Sequence, residues 1–181
     1  MLKPPPAGQP YFRFYPGAYE EGVFEQTGES CEVCETPGAW MYQGVVYGLS
    51  PAADTRFCAT CMKTGLVYGF LGDAKENWIG FHEWFFTSDD VDDALSDELM
   101  YHSPSPSSWN PHGWPVVNRE PLVYIGRGDD KLFADNPAVR AAMRKEQDAT
   151  WPGETSDPVP QYYMIFQSLD GAIYKAALDL D

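Results

Sequence analysis

The residues able to do chemistry in this chain are four cysteines in two pairs, Cys31 and Cys34 in Ser-Cys-Glu-Val-Cys, then Cys58 and Cys61 in Phe-Cys-Ala-Thr-Cys. Each pair encloses two residues, 23 residues separate the pairs, and there is no other cysteine. A Cys-x-x-Cys turn faces both sulfurs toward one point, so two such turns supply the tetrahedral sulfur shell that zinc prefers. The expected cofactor is one structural zinc ion on Cys31, Cys34, Cys58 and Cys61. Four thiolates leave the metal no open position, so it would hold loops together rather than activate water. The competing chemistry is a redox dithiol, which would use one Cys-x-x-Cys at a helix start and leave the second pair without a purpose.

Other reactive groups are sparse. The histidines are His82, His102 and His112. His82-Glu83 lacks the second histidine of a His-Glu-x-x-His protease motif, and no histidine pair has helical ligand spacing. Each reads as a surface or a satisfied core residue. There is no nucleophile elbow, phosphate-binding loop or dinucleotide fingerprint, and no catalytic residue is assigned. The acidic run Asp89, Asp90, Asp92, Asp93, Asp97 and Glu98 lacks the spacing and the glycine of a calcium loop, and reads as the solvated face of a capped helix. Arg127-Gly128-Asp129 reads as the turn after a strand.

The elements that must position these groups follow from punctuation and pattern. Residues 1–10 hold four prolines and read as a flexible lead-in. Tyr11 to Tyr15 reads as a strand stopped by Pro16-Gly17. Trp40 to Gln43 and Val45 to Tyr47 read as two short strands around Gly44, forming the hairpin that a zinc ribbon needs between its ligand pairs. In Met62 to Leu71, Gly65 and Gly69 weaken a helical pattern. Trp78, Ile79, Phe81, Trp84, Phe85 and Phe86 make an aromatic cluster that suits a core. Ser88 begins a helix running to about Met100, with acidic residues in its first turn. Residues 103–115 form a Pro/Ser-rich loop or lid carrying Trp109 and Trp114. Leu122 to Ile125 reads as a buried strand ending at Gly126. Asn136-Pro137 opens the clearest helix, through about Gln147. A Pro/Gly-rich connector, Trp151 to Pro160, leads to strands Tyr162 to Gln167 and Ala172 to Leu178, turning at Asp170-Gly171.

The predicted fold class is therefore α+β. A zinc ribbon at about residues 28–65 would pack on a small mixed or antiparallel sheet with two clear helices, in a single domain over 11–181. Apolar residues at 44% and aromatics at 15% support a packed core. With 27 acidic against 12 basic residues, the formal net charge of -15 argues against nucleic-acid binding. The N-terminus has no secretory pattern and no run approaches a membrane span, so a soluble, cytoplasmic protein is expected. In a reducing compartment, paired cysteines are metal ligands or redox groups rather than disulfides.

Phe14-Tyr15-Pro16, Gly22-Val23-Phe24, Cys31-Glu32-Val33-Cys34, Tyr42-Gln43-Gly44, Phe57-Cys58-Ala59-Thr60-Cys61 with Gly65, Ser103-Pro104 before Trp109 and Trp114, and Tyr124-Ile125-Gly126 stand in a characteristic order. In that order the chain resembles the CbrC-like family of bacterial proteins, named for colicin tolerance. The resemblance runs from about Phe12 to Gly126 and resumes at Tyr163 to Asp179. It implies a bacterial origin and a tolerance or immunity-like association, and it supplies no reaction. Typical relatives carry a His-Cys and a further cysteine after the second tryptophan, and another Cys-x-x-Cys in the last strand pair. Here those stretches read Val117-Asn118 with Leu122, and Ser168 to Gly171, so any second metal site of relatives is lost.

Two functional readings are open. One is a non-enzymatic, zinc-stabilised binding protein, such as a toxin immunity or tolerance factor, whose acidic surface meets a basic protein partner. The other is a small-molecule binder or enzyme with an aromatic pocket under the 103–115 loop, lined by Trp78, Trp84, Trp109 and Trp114, with His82, Glu83 or His112 beside the rings. A zinc-ribbon adaptor in a larger assembly is a third.

Overall fold

Side-chain alternation in the last third of the chain builds one sheet that is buried on both faces. In the computed structural model, which describes residues 4–46, 55–71, 81–82, 85–108, 113–131 and 133–180, β7 (Val123–Arg127), β8 (Tyr163–Gln167) and β9 (Tyr174–Leu178) pair antiparallel in that order. Val123, Ile125, Tyr163, Ile165 and Ala176 meet Val139 and Met143 of α4 (Pro137–Thr150) in one core cluster. Residues between them in sequence face the other way, as a two-residue period requires. There Phe166 packs edge-on against Trp114 and Tyr124, with ring centroids 5.2 and 5.6 Å apart. A bulge between Tyr124 and Gly126 shifts the register of β7 against β8. Gly126 has φ 132° there, a conformation that excludes most side chains. The Asp170-Gly171 turn closes β8 onto β9 as expected, with Gly171 at φ 77° and its N–H donating to the Ser168 carbonyl.

The sequence signals for α4 are realised at its start. The Asn136 side chain accepts from the Ala138 and Val139 amides, and Pro137 occupies the first helical turn. Val139, Met143 and Gln147, four residues apart, form the buried stripe. The helix runs three residues past the expected end at Gln147.

The chain divides into two compact units: Met1–Leu2, Trp84–Asp92 and Ser108–Asp181 in one, Lys3–Glu83 and Asp93–Ser107 in the other. Besides the β7–β8–β9 sheet, the first unit contains the parallel pair β3 (Phe85–Phe86) and β4 (Gly113–Trp114), and the antiparallel pair β5 (Val116–Val117) and β6 (Glu120–Pro121). The second unit contains β1 (Phe24–Gln26) and β2 (Trp40–Tyr42), paired antiparallel, with α1 (Ala59–Thr64), α2 (Leu66–Leu71) and α3 (Asp93–His102). The fold class is mixed α+β.

Three local expectations are corrected. Tyr11 to Tyr15 is no strand: Tyr15 N–H donates to the Phe12 carbonyl and Ala18 N–H to that of Tyr15, so the segment turns. Its alternation of large rings reflects burial instead, with Phe12, Phe14 and Tyr15 inside the unit. The hairpin is not made of 40–43 with 45–47 either, since β2 pairs backward with β1 and residues 45–46 are outside any strand. The helix expected from Ser88 begins at Asp93. Ser88–Asp92 stays outside the helix, where Ser88 Oγ accepts the Asp90 amide, Asp90 pairs with Arg119, and the Asp92 amide donates to the Arg119 carbonyl.

A continuous series of rings fills the second unit. Phe12 stacks on Phe24 at 5.0 Å, Tyr42 on Phe57 at 5.4 Å, and Phe81 contacts Phe57 and Tyr68 at 5.5 and 5.6 Å. Phe81 thus fills a core as expected for its cluster; Trp78, Ile79 and Trp84 lie outside the described residues.

Candidate metal centre

The first cysteine pair sits at the tip of the β1–β2 hairpin. Between those strands the chain stays paired through a Ser30–Pro37 bridge and a Gly38 amide donating to the Glu29 carbonyl. The loop then closes on itself: the Cys31 amide donates to Thr36 O at 3.1 Å, and the Glu35 amide to Cys31 O at 2.8 Å. Glu35 takes a left-handed conformation, φ 57°, to make this turn.

The second pair arrives alongside β2. Met41 and Cys58 form a bridge, the Tyr42 amide donates to Phe57 O, and the Glu32 amide donates to Arg56 O. Cys58 precedes α1 in an extended conformation, and Cys61 lies one helical turn on, which returns its side chain to the same side. Gly65 ends α1 in the left-handed conformation at φ 75°, so Met62 to Leu71 is divided between the end of α1 and α2 rather than running as one helix.

All four sulfurs converge. They lie within 4.8 Å of one another, with Cys31–Cys61 and Cys34–Cys58 each at 3.8 Å. A disulfide would bring two sulfurs to about 2.0 Å, and all four cysteines are free. A tetrahedron with metal–sulfur distances of about 2.3 Å has edges of about 3.8 Å, so the donor set fits a thiophilic ion. Cys31, Cys58 and Cys61 are buried and Cys34 is exposed.

The thiols are electrically unequal. Burial pushes Cys61 well up, with the hydrogen bond to Cys34 and the charge of Cys58 adding to the rise. Burial also raises Cys58, against the opposing pull of the Cys61 amide. At Cys34 burial is the largest single influence and raises the thiol, but hydrogen bonds with the Thr36 side chain and backbone and with Cys61 and Cys31 together outweigh it and bring the thiol to about 6. Crowding four thiolates together calls for a cation among them, and a metal ion supplies one. Thr36 was not singled out by the spacing argument; its only signal is a hydroxyl two residues beyond a knuckle cysteine.

The remaining candidates fall elsewhere. His82 is buried in the core, with Nε2 3.1 Å from the Ser103 carbonyl, and burial lowers it to about 4. His102 lies half-buried, 3.5 Å from the Asp97 carboxylate. Trp114 is fully buried and donates Nε1–H to the Leu122 carbonyl at 2.8 Å, so it fills a core rather than lining a pocket. Trp78, Glu83, Trp84, Trp109 and His112 lie outside the described residues. Glu98, expected on a solvated face, instead pairs with Lys63 and Arg13.

Over residues 9–174 the sequence matches the profile of an uncharacterised protein family, UPF0167. The chain belongs to that family. No curated protein and no solved structure matches it. The family description names no activity, partner or tolerance phenotype, so membership establishes kinship and the cysteine cluster establishes a capacity to bind metal.

Proposed function

We propose that Cys31, Cys34, Cys58 and Cys61 hold one structural zinc ion, and that the protein works by binding: a cytoplasmic toxin-immunity or tolerance factor whose acidic surface meets a basic protein partner. The observation that carries this reading is the four-sulfur cluster itself. A metal with four thiolate ligands has no position left for substrate or water, so the site supplies rigidity rather than catalysis. The net charge of -15 supports the partner's sign, because an acidic surface accelerates encounter with basic proteins and repels phosphate backbones. Among the described residues no helix is long and apolar enough to cross a membrane. The colicin-tolerance association of the CbrC-like proteins it resembles supports the immunity role.

Two measurements test it. Elemental analysis of protein purified without added metal is expected to give one zinc per chain, and stoichiometric titration of free thiols in the native protein would overturn the metal assignment. Affinity capture from the native host is expected to return a basic protein whose association slows as salt rises. Capture of no basic protein, together with no protection against toxins encoded nearby, would sink the binding role.

A further inference from the structure

The structure assigns the partner-binding surface, on the reading that the partner is a basic protein, to a pocket at the C-terminal end of α4. There we propose that an arginine or lysine on an apolar stretch of the partner docks. The pocket has a volume of about 550 Å³. Trp151, Val159, Tyr162 and Leu180 supply apolar walls, and Glu154 and Asp157 supply carboxylates. Three of the eight exposed large hydrophobic residues among those described, Trp151, Val159 and Tyr162, gather here. Exposed apolar surface collected in one place marks a contact site, whereas scattered single residues do not.

The chemistry fits one kind of occupant. An indole and a phenol receive the aliphatic stem of arginine or lysine and attract its cation, and a nearby carboxylate completes the pairing. No lysine or arginine is among the described residues lining the pocket. Asp157 already pairs with Arg144 from outside it, at 2.9 Å. Glu154 is fully exposed, and hydrogen bonds from Ser156 lower its pKa, keeping it ionised.

The walls are also preorganised. Gly153 takes φ 91°, the Glu154 amide donates to Trp151 O, and the Ser156 amide to Glu154 Oε1. Arg144 and Gln147 of α4 both donate to the Ser156 carbonyl, tying the connector to the helix. A wall that is already ordered loses little entropy on binding, which favours affinity from a small contact.

The test uses the full-length, metal-loaded protein and a short fluorescent peptide alternating arginine with leucine; the same peptide with glutamate for arginine is the control. The arginine peptide is expected to bind and the glutamate peptide not to. Trp151→Ala should weaken binding about tenfold, as loss of an aromatic anchor does. Glu154→Gln keeps an acceptor for the Ser156 amide while removing the charge, and should weaken binding severalfold. Equal binding by wild type and both variants would overturn the proposal in favour of diffuse attraction to the acidic surface. Arginine amide binding as tightly as the peptide would overturn it in favour of a small-cation site. The two readings fail separately: a basic host protein captured equally by wild type and Trp151→Ala removes the pocket and leaves the binding role. Anchored peptide binding with no basic protein in the host removes the role and leaves the pocket.

Discussion

Cys61 and Cys34 belong to one four-sulfur cluster but stand in opposite environments, one fully buried and one exposed. Cys61→Ser is expected to lower the thermal midpoint more than Cys34→Ser, because it also leaves a hydroxyl in the core, at about 1–3 kcal/mol for an unsatisfied group. Calorimetry of the two variants checks the order, and equal losses would mean that metal binding alone carries the effect. His82 makes a second residue-level prediction. It is buried and lowered to about 4 by desolvation, against hydrogen bonds to the Ser103 and Leu99 backbone, whereas the unfolded chain titrates near 6.5. Between those values the unfolded state binds the extra proton. Stability present above pH 6.5 is therefore lost as pH falls toward 4, by about 2 kcal/mol between pH 7 and 5. Urea midpoints for wild type and His82→Gln over that range isolate this share. If the variant loses stability as steeply as wild type, thiol protonation and metal release account for the whole acid response.

Two glycines, four and eight residues beyond Cys61, separate conformation from propensity at the level of the element. Gly65 holds the left-handed end of α1, and an added Cβ would sit 2.7 Å from His102 Cε1. Gly65→Ala should cost about 1–3 kcal/mol, since strain and the clash act together. Gly69 lies exposed in α2 with nothing within 4 Å of a Cβ. Gly69→Ala should be neutral or stabilising by up to about 1 kcal/mol, from helix propensity. Chemical denaturation of both variants measures the contrast, and a loss at Gly69 matching that at Gly65 would contradict it. The cap of α4 gives an independent check. Asn136→Ala removes the acceptor for two amides and should cost about 1 kcal/mol.

At the scale of the molecule, both units enclose apolar cores, and one of them also holds the four-sulfur cluster. The β7–β8–β9 sheet and α4 enclose an apolar cluster of their own, while the β1–β2 hairpin tip and α1 meet at four sulfurs. Removal of metal with a strong chelator should raise hydrogen exchange around residues 24–62, while amides of β8 stay protected. Uniform exchange through both would show that metal binding stabilises the chain as one cooperative whole.

What the sequence determined by itself was local: the two cysteine knuckles whose sulfurs converge, the Asn136-Pro137 helix start, the Asp170-Gly171 turn and the strand ending at Gln167. Each of these is written in a few neighbouring residues whose conformational preferences agree with the final fold. Tertiary structure decided the rest. Tyr11 to Tyr15 looks like a strand because buried rings and strand residues share a composition, but the Phe12 and Tyr15 carbonyls accept amides three residues on and close turns instead. β2 pairs with β1 and residues 45–46 stay outside any strand, which placed the first knuckle at a hairpin tip rather than beside one. The partners of Asp90 and Asp92, 29 and 27 residues away at Arg119, delayed α3 to Asp93. The connector Trp151 to Pro160 carried no sequence signal beyond its turn residues, and folding against α4 gathered its exposed side chains into a pocket. Ligand spacing is encoded by chain geometry over a few bonds. Strand pairing and surface assembly depend on which distant segments compete for the same hydrogen bonds and the same burial, and only the folded chain resolves that competition.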